Sequence, residues 1–246
     1  MTIVVTPTGS GALTLLQIMQ SVCRRIGILT PQLVFNSIDP QVVQLLELSQ
    51  EEGREQVSRY AWQALQREAS FTTVAAEVQT TLASITNGFE WIVNNTIWNR
   101  SLRRPVYGPD SEQDWQQAKA MQINGPFNRF RIANGSIRFY PVPTAGQACF
   151  FEYITNCWVT TATGAPSSVW TTDSDTTVLD EQLLILGTVW RWKAAKGLTY
   201  AEDFRKYEAR LLDVQNRDGS KPTLTMTGAK YDAPPILIVP AGSWGY

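Results

Sequence analysis

The sequence predicts an α+β protein: an antiparallel helical bundle of two N-terminal and two C-terminal helices, an inserted antiparallel β domain and an extended C-terminal tail. Three observations carry this. Apolar residues recur at helical spacing over residues 11–68 and again over 179–214. Between them, residues 71–177 are dominated by Thr, Val, Phe and Tyr, with Gly, Asn and Pro as punctuation. After Asn216 the periodicity stops, and 8 of the last 30 residues are Gly or Pro. The implied division is an N-terminal arm (1–10), a bundle (11–70 and 178–216), an inserted β-rich domain (71–177) and a tail (217–246).

The first helix, residues 11–26, aligns Leu15, Ile18, Met19, Val22 and Ile26 on one face. Arg24 and Arg25 oppose the dipole in its last turn, and Gly27 serves as C-cap. The second starts at Asp39, a good N-cap, with Pro40 at the first helical position. Val42, Leu46, Gly53, Val57, Ala61, Ala64 and Leu65 carry its inner face to about residue 68. Glu47, Glu51, Glu52, Glu55 and Arg59 form the outer face, with Glu55 and Arg59 a favourable i,i+4 pair. Residues 71–82 and 147–159 read as strands.

The strongest local signal is FRIANGSIRFY, residues 130–140, where Asn134-Gly135 is a two-residue type I′ turn. That turn sets Ile132 opposite Ile137 and Phe130 opposite Phe139, and puts Arg131 opposite Arg138 on the other face with Arg129 beside them. Ser111 and Asp114 form a capping-box pattern before a short helix with Trp115, Ala118 and Met121 on one face. Residues 179–196 carry an apolar surface wide enough for a central buried helix, opened by Asp180 and Glu181 and closed by Lys193, Lys196 and Gly197. The last helix begins with a capping box at Thr199 and Glu202 and turns Phe204, Tyr207, Leu211 and Val214 inward.

A chain of 246 residues buries roughly 70% of its unfolded surface, enough for a substantial core. With 21 Lys+Arg against 22 Asp+Glu it has no global pull toward nucleic acid or anionic lipid. The absence of His excludes His-based triads and His metal sites. Charged residues make up 17%, below the usual figure of about 25%, a balance that suits an assembly subunit and a plain soluble domain alike. No run reaches about 18 apolar residues, and the N-terminus lacks the basic segment of a secretory signal. Three cysteines without a signal fit a reducing compartment, and buried inert thiols are expected. If residues 147–159 form one strand, Cys149 and Cys157 lie ~26 Å apart, too far to pair.

Motifs for chemistry are few. IVVTPTGSG before the first helix has the outline of a phosphate loop, but Ala12 and Leu13 stand where a Walker loop needs Lys and Ser or Thr. Asp173 and Asp175 lack the remaining acid and Gly of a calcium loop, leaving loop and capping roles. Glu90, Asp110, Glu152 and Asp180 could supply a hydrolytic carboxylate pair, though spacing selects none. No cofactor or metal is expected. Of the nine tryptophans, Trp62, Trp115, Trp190 and Trp192 read as core, while Trp91, Trp98, Trp158 and Trp170 stay open. Arg100, Arg103 and Arg104 form a basic cluster. Like charges facing each other, as Arg131 and Arg138 do, are unfavourable unless an anion sits near them. A solvated face, an acidic partner surface and passing DNA all satisfy that condition.

IDPQVVQLLELSQEEGREQVSRYAWQALQREASFTT, followed by a β-rich stretch, resembles the helical opening of tailed-phage head-to-tail adaptors of the podovirus connector or tail-tubular type. IWNRSLRRPVYGP, RFRIANGSIRFYPVPTAG, FFEYITNCWV and LDEQLLILGTVWRWKAAKGLTYAEDFRKYEARL extend the likeness over about residues 12–216. The resemblance implies a non-enzymatic virion protein of the neck and tail, assembled in the host cytoplasm. Such proteins form a dodecameric ring under the portal protein ring, meet the tail nozzle and tail fibre proteins, and let DNA pass without sequence-specific binding. No membrane contact is implied. Portal docking in such adaptors uses an extended C-terminal segment, which maps by position onto residues 217–246. Within it Ile236, Leu237, Ile238 and Val239 can add a strand to a partner's sheet, and Trp244 and Tyr246 can act as anchors on the portal or a neighbouring subunit. Arg129, Arg131 and Arg138 are candidates for a subunit interface or the channel, with Glu51 and Glu55 as a complementary acidic face. The alternative is a carbohydrate-binding or glycan-cleaving virion module, which needs Trp and carboxylates in one groove of the β region. A DNA-binding role is weakened by the balanced charge.

Overall fold

The computed structural model describes residues 12–219 apart from 123, 124 and 126. The predicted arm, residues 1–10, lies outside them, as does the tail from residue 220 onward. Among the described residues the chain is mixed helix and sheet, and every pairing between its strands is antiparallel.

Helix α1 (Leu15–Ile26) begins with a capping box that the sequence reading missed. The Thr14 hydroxyl accepts from Gln17 N–H, and the Gln17 side chain accepts from Thr14 N–H. Gly27, at φ 76°, closes the helix as expected. Helix α2 (Pro40–Arg59) starts where predicted, with the Asp39 carboxylate accepting from Gln41 N–H at 2.9 Å. It stops nine residues short of the predicted end. Tyr60 is extended, and the Trp62 indole N–H donates to the Gln56 carbonyl at 2.7 Å, closing the last turn. After a single 3-10 turn the chain enters β1 (Gln66–Thr72). The helical spacing of Ala61, Ala64 and Leu65 is overridden because residues 66–72 pair along their whole length with a distant strand.

The predicted strand 71–82 is two strands. β1 ends at Thr72, and β2 (Val78–Thr81) joins a different sheet. Then follow α3 (Leu82–Ile85), β3 (Phe89–Ile92), β4 (Trp98–Asn99), β5 (Arg104–Pro105) and α4 (Glu112–Ala120). Ser111 caps α4, and Trp115 and Ala118 are buried. Met121, read as part of that inner face, is exposed because the helix has ended and Met121 is its C-cap.

The hairpin of β6 (Arg129–Ala133) and β7 (Ser136–Tyr140) has the register read from the sequence, with Phe130↔Phe139, Arg131↔Arg138 and Ile132↔Ile137. Asn134 and Gly135 take φ 52° and 64°, as a type I′ turn requires. The predicted strand 147–159 also divides, into β8 (Ala148–Thr155) and β9 (Val159–Thr160). The premise of one continuous strand between Cys149 and Cys157 therefore fails, although all three cysteines are free and buried. β10 (Pro166–Ser167) and β11 (Thr176–Thr177) flank β9. Helix α5 (Glu181–Ala195) is capped by Asp180, and α6 (Ala201–Arg217) follows. The capping box predicted at Thr199 and Glu202 does not form: Tyr200 is the N-cap and makes no side-chain bond. Glu202 and Asp203 in the first turn favour the dipole instead.

Strand β8 organises the largest sheet. β1 runs along one edge, while β3 and β4 share the other, with β5 beyond β4. A second sheet has the order β2-β7-β6. Two apolar cores result. Phe71, Phe130, Phe139, Phe151 and Tyr153 lie in one, between these sheets. The other gathers Leu15, Met19, Leu45, Leu183, Tyr207 and the Trp158–Trp170 pair around α5, which contacts α1, α2 and α6. Alternation along β8 connects them, because Phe151 and Tyr153 face the first core and Ile154 faces the second.

Candidate functional site

The acidic face of α2 behaves differently from the sequence reading. Glu52, assigned to the outer face, is fully buried. Arg191 of α5 reaches across, its Nε donating to Glu52 and one Nη to Glu51, both at 2.8 Å, and its other Nη to Glu55. Gln56 adds a 2.8 Å amide donor to Glu52. Burial alone would raise the Glu55 carboxyl, but Arg191, with Arg59 beside it, outweighs burial and holds it below the ordinary range. Glu51 and Glu55 are thus brought together around one guanidinium of their own chain. Two glycines permit close packing around α2. A Cβ on Gly187 would overlap the Glu52 carboxyl, and one on Gly53 would overlap the Trp158 ring.

Arg129, Arg131 and Arg138 do share a face of the hairpin, and the chain supplies their anions. Arg129 pairs with Asp110 at 2.8 Å, Arg131 with Glu112 at 2.8 Å and Arg138 with Glu77 at 3.6 Å. Lys119 also meets Glu77, at 2.6 Å. Asp110 and Glu112 flank the start of α4, so these pairs fasten that helix to the hairpin. The arginine group and the Glu51/Glu55 group form no pairs with each other among the described residues. The docking candidates Ile236, Leu237, Ile238, Val239, Trp244 and Tyr246 lie outside the described residues.

Asp173, Asp175 and Asp180 have structural partners. Asp173 accepts from Val34 and Phe35 N–H, at 3.1 and 2.7 Å, pinning the connection between α1 and α2. Asp175 is fully buried and accepts from the N–H and hydroxyl of both Thr171 and Thr172. Burial would raise this carboxyl, but the threonine donors prevail and hold it low. Asp180 caps α5 and pairs with Arg210 at 2.6 Å. No group of three or more His, Cys, Asp or Glu among the described residues could hold a metal ion. No described helix is long and apolar enough to cross a membrane.

Two surface clefts stand out. One, about 270 Å³, lies on the outer face of the large sheet and brings together Trp98, Phe150, Glu68, Glu152 and Arg100. Glu68 and Glu152 face each other across β1 and β8, and Arg100 stacks 3.6 Å above the Phe150 ring while pairing with Glu68. Trp98 is the exposed member of the described tryptophans; Trp158 and Trp170 are core, as are Trp62, Trp115 and Trp192. The other cleft, about 320 Å³, lies in the α1–α2 connection among Leu29, Leu33, Ile38 and Val42. Sequence reasoning passed over it, although ILTPQLVF, residues 28–35, is apolar without a helical period and so has no face to bury.

A family model described as SU10 adaptor protein matches residues 13–227 of the chain. No curated protein matches it.

Proposed function

The chain belongs to the SU10 adaptor protein family, a family of phage structural adaptors, and from that premise we propose that it forms a ring joining the portal to the tail and letting DNA pass. The observation that carries this is the extent of the family match, which takes in the helices, the β-rich insertion and the start of the C-terminal segment. In this reading the helices at residues 11–70 and 178–216 form the ring's bundle, and residues 71–177 are an insertion facing the tail. Residues 217–246 dock on the portal or on a neighbouring subunit. The ring is a dodecamer, assembles in the host cytoplasm and touches DNA without reading sequence.

The test is co-sedimentation of the full-length protein with the portal ring of the same phage, with mass photometry of the product. A stoichiometric ring-on-ring complex is the expected result. A protein that stays monomeric and ignores the portal would remove the assembly role and leave the fold. A second reading rests on the Trp98 cleft. An exposed indole beside Glu68, Glu152 and Arg100 offers a stacking surface and hydroxyl partners suited to a sugar. Saturable glycan-array binding that Trp98→Ala abolishes would favour it.

A further inference from the structure

Ile38 and Leu29 are the two most exposed large apolar side chains among the described residues, at 97% and 92%. They rim the α1–α2 cleft, with half-exposed Leu33 beside them and buried Val42 beneath. The loop that displays them is held in place. Asp173 binds two of its N–H groups, the Gln20 amide donates to the Pro31 carbonyl at 3.1 Å, and Val34 is buried in the helical core. A pinned apolar cleft gives up little conformational freedom when a partner enters.

We propose that this cleft receives residues 236–239 of a neighbouring copy, an inference that rests on the ring reading above. The chemistry of the two parts matches. Residues 236–239 are Ile-Leu-Ile-Val, without a charge, and the one charged residue lining the cleft, Asp39, is engaged in capping α2. The ring reading supplies the second copy, and the length of chain beyond Gly219 lets the segment reach the cleft. The Asp218 carboxylate and carbonyl accept from Gln63 N–H and the Tyr60 hydroxyl, at 3.0 and 3.3 Å, so the chain leaves the described fold beside the C-terminal end of α2. The cleft sits at the opposite end of that 20-residue helix, a separation of about 30 Å. Ile236 lies 17 residues beyond Gly219, a reach of at most about 60 Å. Donor and acceptor at opposite ends of one helix make a head-to-tail contact, the kind that closes into a ring when the rotation between copies permits.

The test mixes two full-length variants, Ile38→Cys and Leu237→Cys, under mild oxidation with the portal ring present. Ile38 touches solvent, so its replacement spares the core, and the three native cysteines are buried. The expected product is a disulfide-linked dimer containing one chain of each variant. Ile38→Asp should weaken association between copies about tenfold or more. An internal disulfide in a third variant carrying both Ile38→Cys and Leu237→Cys, with no mixed dimer from the two single variants, would place the segment in its own chain's cleft and overturn the inference. Portal binding by the unaltered protein without either cross-link would also overturn it, while leaving the adaptor reading intact. An unaltered protein that ignores the portal removes the ring, and this inference with it.

Discussion

Arg191 of α5 meets three carboxylates of α2. It neutralises Glu52, a fully buried carboxylate, and draws Glu51 and Glu55 onto the same guanidinium. Arg191→Met should destabilise the protein by about 3–5 kcal/mol in urea unfolding, because it strands a buried charge. Glu52→Gln added to that variant should recover part of the loss. Asp175 and Glu55 contribute to the acid response. Their folded carboxyls ionise below their unfolded ones, so the unfolded chain binds more protons over the acid range. The stability they contribute is complete above the unfolded values near 4 and is lost as pH falls through the lower folded values. Asp175→Asn should therefore be less stable at pH 7 and show a shallower loss between pH 5 and pH 2 in thermal melts. Burial pushes the Cys149 thiol up to about 12 and raises Cys23 as well. A thiol reagent at pH 8 should label the native protein slowly and the unfolded chain at once.

Among elements, α5 approaches α2 at Gly187, and the Trp158 ring approaches α2 at Gly53. Ala is the better helix former, by about 1 kcal/mol over Gly on an exposed helix. At Gly187 and Gly53 the new methyl would overlap the Glu52 carboxyl and the Trp158 ring. Gly187→Ala and Gly53→Ala should each destabilise by about 1–3 kcal/mol net, the usual penalty for overpacking. The same substitution at Gly135 meets open space and carries only the backbone penalty of a left-handed turn, about 1 kcal/mol. The hairpin was legible because its turn is local: Asn134-Gly135 dictates the register without help from the rest of the chain. The end of α2 was not legible. Residues 61–68 fit a helix as well as a strand, and pairing with β8, more than 80 residues away, decides between them.

At the scale of the whole molecule, Asp218 ends the last helix against Tyr60 and Gln63. If residues 220–246 serve docking alone, removing them should leave the melting temperature within about 2 °C of the full chain. The same truncation should abolish docking on the portal ring; undiminished docking would place the contact elsewhere on the molecule. Charge reversal at Arg131 and Arg138 separates two roles for the hairpin face. Arg131 and Arg138 already pair with Glu112 and Glu77, so reversal should loosen α4 from the hairpin even in the monomer. Rings that form normally from that variant would confine both arginines to this internal task.

The sequence by itself determined the α+β class, the helix starts at Asp39 and Asp180, the hairpin register and the adaptor resemblance, because periodicity, caps and a tight turn act over a few residues. Tertiary structure alone decided which charges are free. Glu52 and the hairpin arginines look like solvated faces in one dimension, and their partners stand on distant elements. It also decided that an apolar loop with no period of its own would be pinned open by Asp173, 139 positions beyond Val34. Such pairings are set by how elements pack, and neither composition nor spacing records them.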